Sequence, residues 1–135
     1  MQVSIIIPVY NAAQYITLAV ESALQQPETT EVLLIEDGST DNSLEICQEL
    51  AAKYDRVKLL RHPNGENRGA GASRNLGIQN AIYEFIGFVD ADNYYLPGRF
   101  VHTWEVFQEH ADCEGVYETI GNSIENEAGL QRWVN

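Results

Sequence analysis

The sequence predicts an α/β fold, a three-layer sandwich built on a mostly parallel sheet. Apolar, β-branched segments alternate along the chain with segments whose apolar residues recur at helical spacing. Strands separated by helices run parallel and are joined by right-handed crossovers. The chain has 135 residues, which is enough for one domain with a single layered core.

The first strand is predicted at residues 3–9, which are almost all apolar, as in a strand buried on both faces. Asn11 and Gln14 have the spacing of a capping box, so we expect the first helix to begin there and to end before Pro27. The apolar residues of this helix recur at helical spacing: Ile16, Ala19, Val20, Ala23 and Leu24.

A second buried strand is predicted at residues 31–36, and a turn-rich segment follows it at 37–41. Asn42 and Glu45 form another capping-box pattern, which begins the second helix. The apolar positions of that helix are Leu44, Cys47, Leu50 and Ala51. A third strand is predicted at 56–61, nearer the sheet edge, because polar residues alternate with apolar ones at its start.

The second half of the chain continues the alternation. Residues 62–71 predict a loop, because they contain one proline and three glycines. A short helix follows at 72–81, then a buried strand at 85–89, a helix at 99–110 and a last strand at 115–120. The periodic residues of the first of these helices are Arg74, Leu76, Ile78 and Ile82. The apolar face of the second comprises Phe100, Val101, Trp104 and Phe107.

Charge is unevenly distributed. The formal net charge of −12 makes nucleic acid and anionic membrane surfaces unlikely partners. Residues 1–52 contain no Lys or Arg, and six of the eight basic residues lie within 22 positions: Lys53, Arg56, Lys58, Arg61, Arg68 and Arg74. Two interpretations stay open, because this segment either faces an anionic ligand or forms the solvated edge of a strand.

The two cysteines, Cys47 and Cys113, form no CxxC pair and no Cys/His cluster. Neither a zinc site nor a disulfide framework is therefore indicated, and Cys47 is expected in the core. The sequence begins without a basic segment leading into an apolar one, and no apolar run reaches membrane-spanning length. We expect a cytoplasmic protein without a signal peptide or a membrane segment.

Two carboxylates follow the predicted strand at 85–89. Asp90 and Asp92 are spaced i, i+2, so both side chains point the same way from an extended backbone. Carboxylate oxygens beside a phosphate are ligands that suit Mg²⁺ or Mn²⁺, whereas the alternative is a solvated turn. Ligands of parallel sheets bind beyond the carboxyl ends of the strands. Polar residues also end the strands at 8–11 and 36–39, and this convergence favours a site.

Four segments in this order and spacing carry a resemblance: VSIIIPVYN at 3–11, IEDGSTD at 35–41, GASRNLG at 71–77 and FVDADN at 88–93. Together they resemble the amino-terminal half of a family 2 glycosyltransferase of the GT-A fold, over about residues 3–107. The resemblance implies a Rossmann-like (GT-A) sandwich. It also implies transfer of a sugar from a nucleoside-diphosphate sugar to an acceptor, with a divalent metal.

The resemblance also implies roles for the matching residues. Pro8, Val9 and Tyr10 correspond to the loop that lines the nucleotide base, on which Tyr10 stacks. Asp37 corresponds to the acid that binds base or ribose, and Arg74 to an arginine that reaches the nucleotide. Plain packing for Tyr10, a turn role for Asp37 and an ion pair within its own helix for Arg74 stay open as alternatives.

Asp90, Ala91 and Asp92 correspond to the DxD motif of the family. There Asp92 would ligate Mg²⁺ or Mn²⁺, and Asp90 would contact ribose or metal-bound water. The chemistry agrees, because a departing diphosphate gains negative charge that a divalent cation neutralises. Glu36 departs from the aspartate that the family often has, and we do not count it as a ligand contact.

In the family, the acceptor site and the general base lie in the second half of the catalytic domain. We therefore expect a donor-binding half-domain at residues 1–120, truncated at the C-terminal side, with a polar tail at 121–135. The acceptor and the catalytic base stay unknown; were the domain complete, its base would lie among Glu114, Glu118, Glu125 and Glu127. QRW at 131–133 resembles a motif of processive synthases, but its spacing differs and we do not count it.

Two other functions stay open. A non-catalytic nucleotide-sugar-binding module would keep the donor site without acceptor chemistry. A nucleotidyltransferase is less well supported, because the glycine-rich, lysine-bearing phosphate loop of that class is missing after the first strand. An exposed sheet edge in a half-domain also predicts a weak homodimer.

Overall fold

A computed structural model describes residues 1–118 of the chain. The helices and strands follow one another as β1 (Val3–Val9), α1 (Ile16–Leu24), β2 (Thr29–Glu36), α2 (Ser43–Lys53), β3 (Val57–Arg61), a 3₁₀ turn (Pro63–Gly65), α3 (Ala70–Asn80), β4 (Phe85–Phe88) and α4 (Val101–Glu109). The four strands form one parallel sheet in the order β3-β2-β1-β4. The predicted α/β architecture with a mostly parallel sheet is confirmed.

The two faces of the sheet bury different helices. Ile5 and Leu34 lie on the face that packs against α1 and α2, where Cys47 is also buried. Ile6 and Leu33 lie on the opposite face, which packs against α3. The result is three layers, as predicted. Burial raises the pKa of the Cys47 thiol to about 12, in keeping with its expected place in the core.

Helix α3 approaches the sheet through small residues. Its buried residues are Ser73 and Gly77, and a Cβ atom on Gly77 would lie 2.5 Å from Cγ2 of Ile6. The prediction that Ile78 and Ile82 form part of the apolar face was wrong, since both are exposed. A helix that packs this close to a sheet needs small side chains at the contact. The spacing of apolar residues does not reveal such a contact, because Ser73 and Gly77 are not apolar side chains.

The capping box predicted at Asn11 was wrong, whereas Asn42 is the N-cap residue of α2 as predicted but does not form the expected side-chain hydrogen bond. Helix α1 begins at Ile16, and neither α1 nor α2 has a side-chain hydrogen bond at its N-cap. Asn11 instead adopts a φ of 47°, which asparagine tolerates better than most residues. Its Oδ1 accepts a hydrogen bond from the backbone N–H of Thr40 at 2.8 Å. The polar side chain therefore joins two loops and caps no helix.

Strand β4 is buried on one face only. Phe85 packs against Trp104 and Phe107 of α4, whereas Ile86 and Phe88 point to the other face and are exposed. The prediction of a fully buried strand was wrong there, because β4 is an edge of the sheet within residues 1–118.

Two further predictions concern the end of the chain. Val101, expected on the apolar face of the last helix, is exposed, because the helix begins at that residue and Phe100 takes the buried position before it. Residues 115–118 form no strand. The rest of the predicted strand at 115–120 and the predicted tail at 121–135 lie outside the described residues. No helix within residues 1–118 is both long and apolar enough to cross a membrane.

Glu31 ties together the amino-terminal end of the sheet. Its carboxylate accepts hydrogen bonds from Ser4 Oγ at 2.6 Å, Lys58 Nζ at 2.8 Å and the backbone N–H of Ile82 at 2.9 Å. Burial by itself would raise the pKa of Glu31, but the hydrogen bonds from Lys58, Ser4 and Ile82 outweigh burial and lower that pKa. One buried acid thus links three strands and the segment that precedes β4.

Replacing Gly77 with alanine is expected to lower the free energy of unfolding by about 1–3 kcal/mol, because the added methyl group overpacks against Ile6. Gly71→Ala is the matched control in the same helix, since a Cβ atom there meets open space. That variant should gain up to about 1 kcal/mol from helix propensity. Urea unfolding measures both, and equal stability of the two variants would contradict the close contact at Ile6.

Acid should weaken the fold through Glu31. Its folded-state pKa lies below the ordinary value of 4.5, so its contribution to stability is present above that value and is lost as pH falls through the folded pKa. We expect the free energy of unfolding to fall with pH below 4.5, and Glu31→Gln to flatten part of that fall. Urea unfolding at a series of pH values tests this, and an identical pH profile for both proteins would rule it out.

Candidate functional site

An open cleft of about 250 Å³ lies beyond the carboxyl ends of the strands. Seven of the eight residues predicted for the site line it: Pro8, Val9, Tyr10, Asp37, Asp90, Ala91 and Asp92. The eighth, Arg74, contacts one of them. Loops that follow three separate strands therefore meet in one place, as the strand-end pattern predicted. The cleft also has lining residues that the sequence did not single out as ligand contacts: Asn11, Ala12, Tyr15 and Ala70.

The loop after β1 forms one wall of the cleft. The Tyr10 side chain is 51% exposed, so it does not belong to the core, which was the alternative for this residue. Asn11 fixes the loop, because its backbone N–H donates to Ser39 Oγ at 3.0 Å while its side chain binds the 40–41 backbone. The result is an aromatic ring presented on a braced backbone.

Asp37 is buried and its carboxylate is occupied. Oδ1 accepts a hydrogen bond from the backbone N–H of Arg68 at 2.7 Å, and Oδ2 accepts one from Gly69 at 2.9 Å. Gly69 has a φ of 90° and immediately precedes α3. In this structure Asp37 holds the start of α3 against the end of β2. Contact of this residue with a base or ribose stays a prediction.

His62 and Ser73 lie behind Asp37. The Nε2 atom of His62 is 3.0 Å from Ser73 Oγ and 3.5 Å from Asp37 Oδ1, and all three residues are buried. A Ser-His-Asp relay needs a different ring nitrogen for each partner. Here Nε2 faces both partners, so the cluster lacks the geometry that activates a serine nucleophile. Its role is to support the loop before α3.

Glu36 is completely buried below the turn that follows β2. Its carboxylate accepts hydrogen bonds from the backbone N–H of Ser39 at 2.6 Å and of Gly38 at 3.3 Å, and from Arg61 Nε at 3.0 Å. Burial would raise the pKa of Glu36, but the bonds from Ser39, Arg61 and Gly38 lower it overall. The residue shapes the turn after β2 without lining the cleft.

The basic segment has mostly internal partners. Lys58 and Arg61 of β3 pair with the two buried acids of β2, Glu31 and Glu36. The other partners are Glu21 for Lys53, the carbonyls of Leu24 and Thr29 for Arg56, Glu66 for Arg68 and Asp90 for Arg74. Of the six basic side chains, that of Arg74 is the one paired with an acid that lines the cleft. The segment therefore serves chiefly as counter-charge for acids of the fold.

Arg74 and Asp90 form an ion pair at the cleft. Arg74 Nη2 lies 2.6 Å from Asp90 Oδ1, with the side chains 37% and 52% exposed. The partner comes from the end of β4, so the alternative of an acid within the arginine's own helix was wrong. Asp92, which also lines the cleft, is exposed. One of the two carboxylates, Asp90, is thus paired with an arginine.

The residues present fit a divalent metal held together with a phosphate ligand. Within residues 1–118, no group of three or more His, Cys, Asp or Glu side chains is placed to hold a metal ion. Asp90 and Asp92 offer carboxylates at the cleft. Mg²⁺ in proteins is commonly bound by one or two carboxylates with water and substrate phosphates supplying the rest. The donor set suits that arrangement better than an all-protein cage.

The loop after Asp92 is braced by α1 and by the residue that follows its C-cap. Gln26 is buried; its Nε2 donates to the carbonyl of Leu96 at 3.0 Å, and its Oε1 accepts from the backbone N–H of Arg99 at 3.0 Å. Ser22 Oγ accepts from the backbone N–H of Tyr95 at 3.0 Å. The sequence reasoning missed this pair. Its signal was the i, i+4 spacing of two polar residues in line with the apolar face of α1.

Comparison with known proteins identifies the family. The model of glycosyl transferase family 2 matches residues 4–130. The chain belongs to this family. Glycosyltransferase GlyG of Streptococcus pneumoniae serotype 4 is 39% identical over 133 residues, which are 98% of this chain and 43% of GlyG. Chondroitin synthase of Escherichia coli is 36% identical over 129 residues, which are 95% of this chain and 18% of the synthase.

A solved structure shares the fold. The crystal structure of S. aureus TarS 1–349 in complex with UDP-GlcNAc superposes with a TM-score of 0.70 at 29% identity, covering 94% of this chain and 39% of that one. The expected Rossmann-like GT-A fold is therefore confirmed. This chain spans less than half the length of each of these three proteins.

Gln26→Ala is expected to lower the free energy of unfolding by about 1–3 kcal/mol, because it leaves the Leu96 carbonyl and the Arg99 N–H without their partner. Gln25→Ala is the matched control, since Gln25 is exposed on the neighbouring position. Urea unfolding compares the two variants. A Gln26→Ala protein as stable as its control would show that the loop does not depend on these two hydrogen bonds.

Proposed function

We propose that this chain forms the donor-binding part of a glycosyltransferase that moves a sugar from a nucleoside-diphosphate sugar to an acceptor, assisted by Mg²⁺ or Mn²⁺. The carrying observation is the cleft where Asp90 and Asp92 meet the Pro8–Tyr10 loop beyond the ends of parallel strands. Membership of family 2 supports the reaction class. The UDP-GlcNAc complex of TarS supports a nucleoside-diphosphate sugar as donor.

The wall after β1 would bind the nucleotide base. Tyr10 offers a half-exposed aromatic face on which a base stacks. Pro8 and Val9 line the cleft beside it. Asp37, at the end of β2, stands at the same end of the sheet and would accept a hydrogen bond from base or ribose.

The wall after β4 would bind the diphosphate. A net charge of −12 gives no general attraction for an anion, so cations at the cleft must supply it. Asp92 would ligate the metal, and Asp90 would contact ribose or metal-bound water, with the Ala91 backbone between them. The metal would neutralise charge that grows on the departing diphosphate. Arg74 would add a fixed fork of donors suited to phosphate.

Other parts of the function lie outside this donor site. The acceptor, its binding residues and the general base would come from chain beyond the described residues. The division into a half-domain at 1–120 and a tail at 121–135, the weak homodimer and the cytoplasmic location stay predictions. A non-catalytic module with the same cleft would bind donor equally well, so turnover by the full-length protein separates the two possibilities.

Nucleotide binding by this chain should require metal. We expect UDP to bind with Mn²⁺ present and at least about tenfold more weakly with chelator, because Asp92 would hold the metal that neutralises the diphosphate. Asp92→Asn should lose this metal-dependent binding while circular dichroism stays unchanged. Asp55→Asn, which removes the same charge at the opposite end of the sheet, is the control. Isothermal titration calorimetry measures affinity, with GDP as a second nucleotide.

Equal affinity for UDP with metal and with chelator would contradict the assignment of Asp92 as a metal ligand. Loss of binding in Asp55→Asn as well as Asp92→Asn would point to a general effect of charge and would remove the support for a site at Asp92.

A further inference from the structure

Arg74 stands where a cation would bind Asp90. We propose that Arg74 is an internal counter-ion, which neutralises Asp90 in the empty cleft and moves to the diphosphate when the donor binds. The inference rests on the proposed donor function and adds a property to it: Arg74 opposes metal binding in the absence of nucleotide and favours nucleotide binding in the presence of metal.

Arg74 lowers the negative charge that the cleft presents to a ligand. Without Arg74, the cleft would present two bare carboxylates in a protein whose net charge is −12. Bare carboxylates attract divalent cations and repel an approaching diphosphate. With Nη2 at 2.6 Å from Asp90 Oδ1, the guanidinium cancels one of the two charges. A metal ion alone then competes with a cation that is already in place.

The Arg74 side chain is suited to the exchange. Both members of the ion pair are partly exposed, and exposed ion pairs contribute little net stability, so breaking this one costs little. The guanidinium stays charged at any working pH and binds phosphate oxygens in a bidentate fork. A diphosphate with its metal therefore offers each partner a better ligand than the one it gives up.

The backbone that carries Arg74 is held in place. The Asp37 carboxylate binds the two amides that precede α3, Ser73 lies against His62, and Gly77 packs on Ile6. Residue 74 lies between these anchors. The exchange is therefore confined to the side chain and requires no movement of the helix.

The test uses Arg74→Gln and two separate titrations. Mn²⁺ alone, followed by the electron paramagnetic resonance signal of free Mn²⁺, should bind Arg74→Gln about two- to tenfold more tightly than wild type. Only binding that Asp92→Asn abolishes is counted, because an acidic surface also binds Mn²⁺ elsewhere. UDP at saturating Mn²⁺, followed by calorimetry, should bind Arg74→Gln about tenfold more weakly, since a charge-assisted contact is lost.

Two further variants complete the design. Arg68→Gln removes an equivalent charge from the loop before α3, where Arg68 pairs with Glu66, and should change neither affinity more than about twofold. Arg74→Lys keeps the charge but loses the fork, so Mn²⁺ should bind nearly as in wild type while UDP binds more weakly. If circular dichroism shows that Arg74→Gln is misfolded, Arg74→Met, which also removes the charge, takes its place in both titrations.

The outcomes separate the two proposals. Opposite changes in Mn²⁺ and UDP affinity support the counter-ion. Unchanged Mn²⁺ affinity in Arg74→Gln, or changes of the same sign in both titrations, overturn the counter-ion while the donor site stands. A wild-type chain that binds neither Mn²⁺ at Asp92 nor UDP overturns the donor site and the counter-ion together.

Discussion

The pairing of β1 with a parallel neighbour on each side is the constraint on which the rest of the structure depends. Seven residues of β1 pair with β2, and four pair with β4. A strand so enclosed buries both faces, which requires helices above and below the sheet. It also brings the loops after β1, β2 and β4 to one edge. The cleft is formed where the loops that follow these three strands meet.

Two buried acids of β2 are paired with basic residues of β3. Glu31 and Glu36 lie on β2, and their partners Lys58 and Arg61 lie opposite on β3. A carboxylate can be buried beside a strand only when hydrogen bonds and counter-charge replace its water. At the cleft, the half-exposed Asp90 is likewise paired with a cation, Arg74. Acids of the fold and an acid of the cleft are thus paired with cations of one segment, residues 53–74.

Most polar side chains near the cleft support backbone. Asp37, Asn11 and Gln26 each bind amides or carbonyls of a neighbouring loop. Loops cannot bury their backbone groups without such partners, and a cleft built from loops therefore needs a layer of polar braces behind it. The exposed residues that line the cleft are Tyr10, Asn11, Ala70, Asp90 and Asp92.

The sequence by itself determined the four strands of the described sheet and the edge at which the cleft lies. Strands enclosed by neighbours read as apolar, β-branched runs, and polar residues at the ends of three such runs located the cleft. Tertiary structure alone decided the partners of polar residues and the buried face of α3. Asp37 binds an amide 31 positions away and Gln26 one 73 positions away, and local spacing carries no information about such distances. The buried face of α3 consists of small residues because they let the helix approach the sheet closely. That contact depends on the strand that lies beneath the helix.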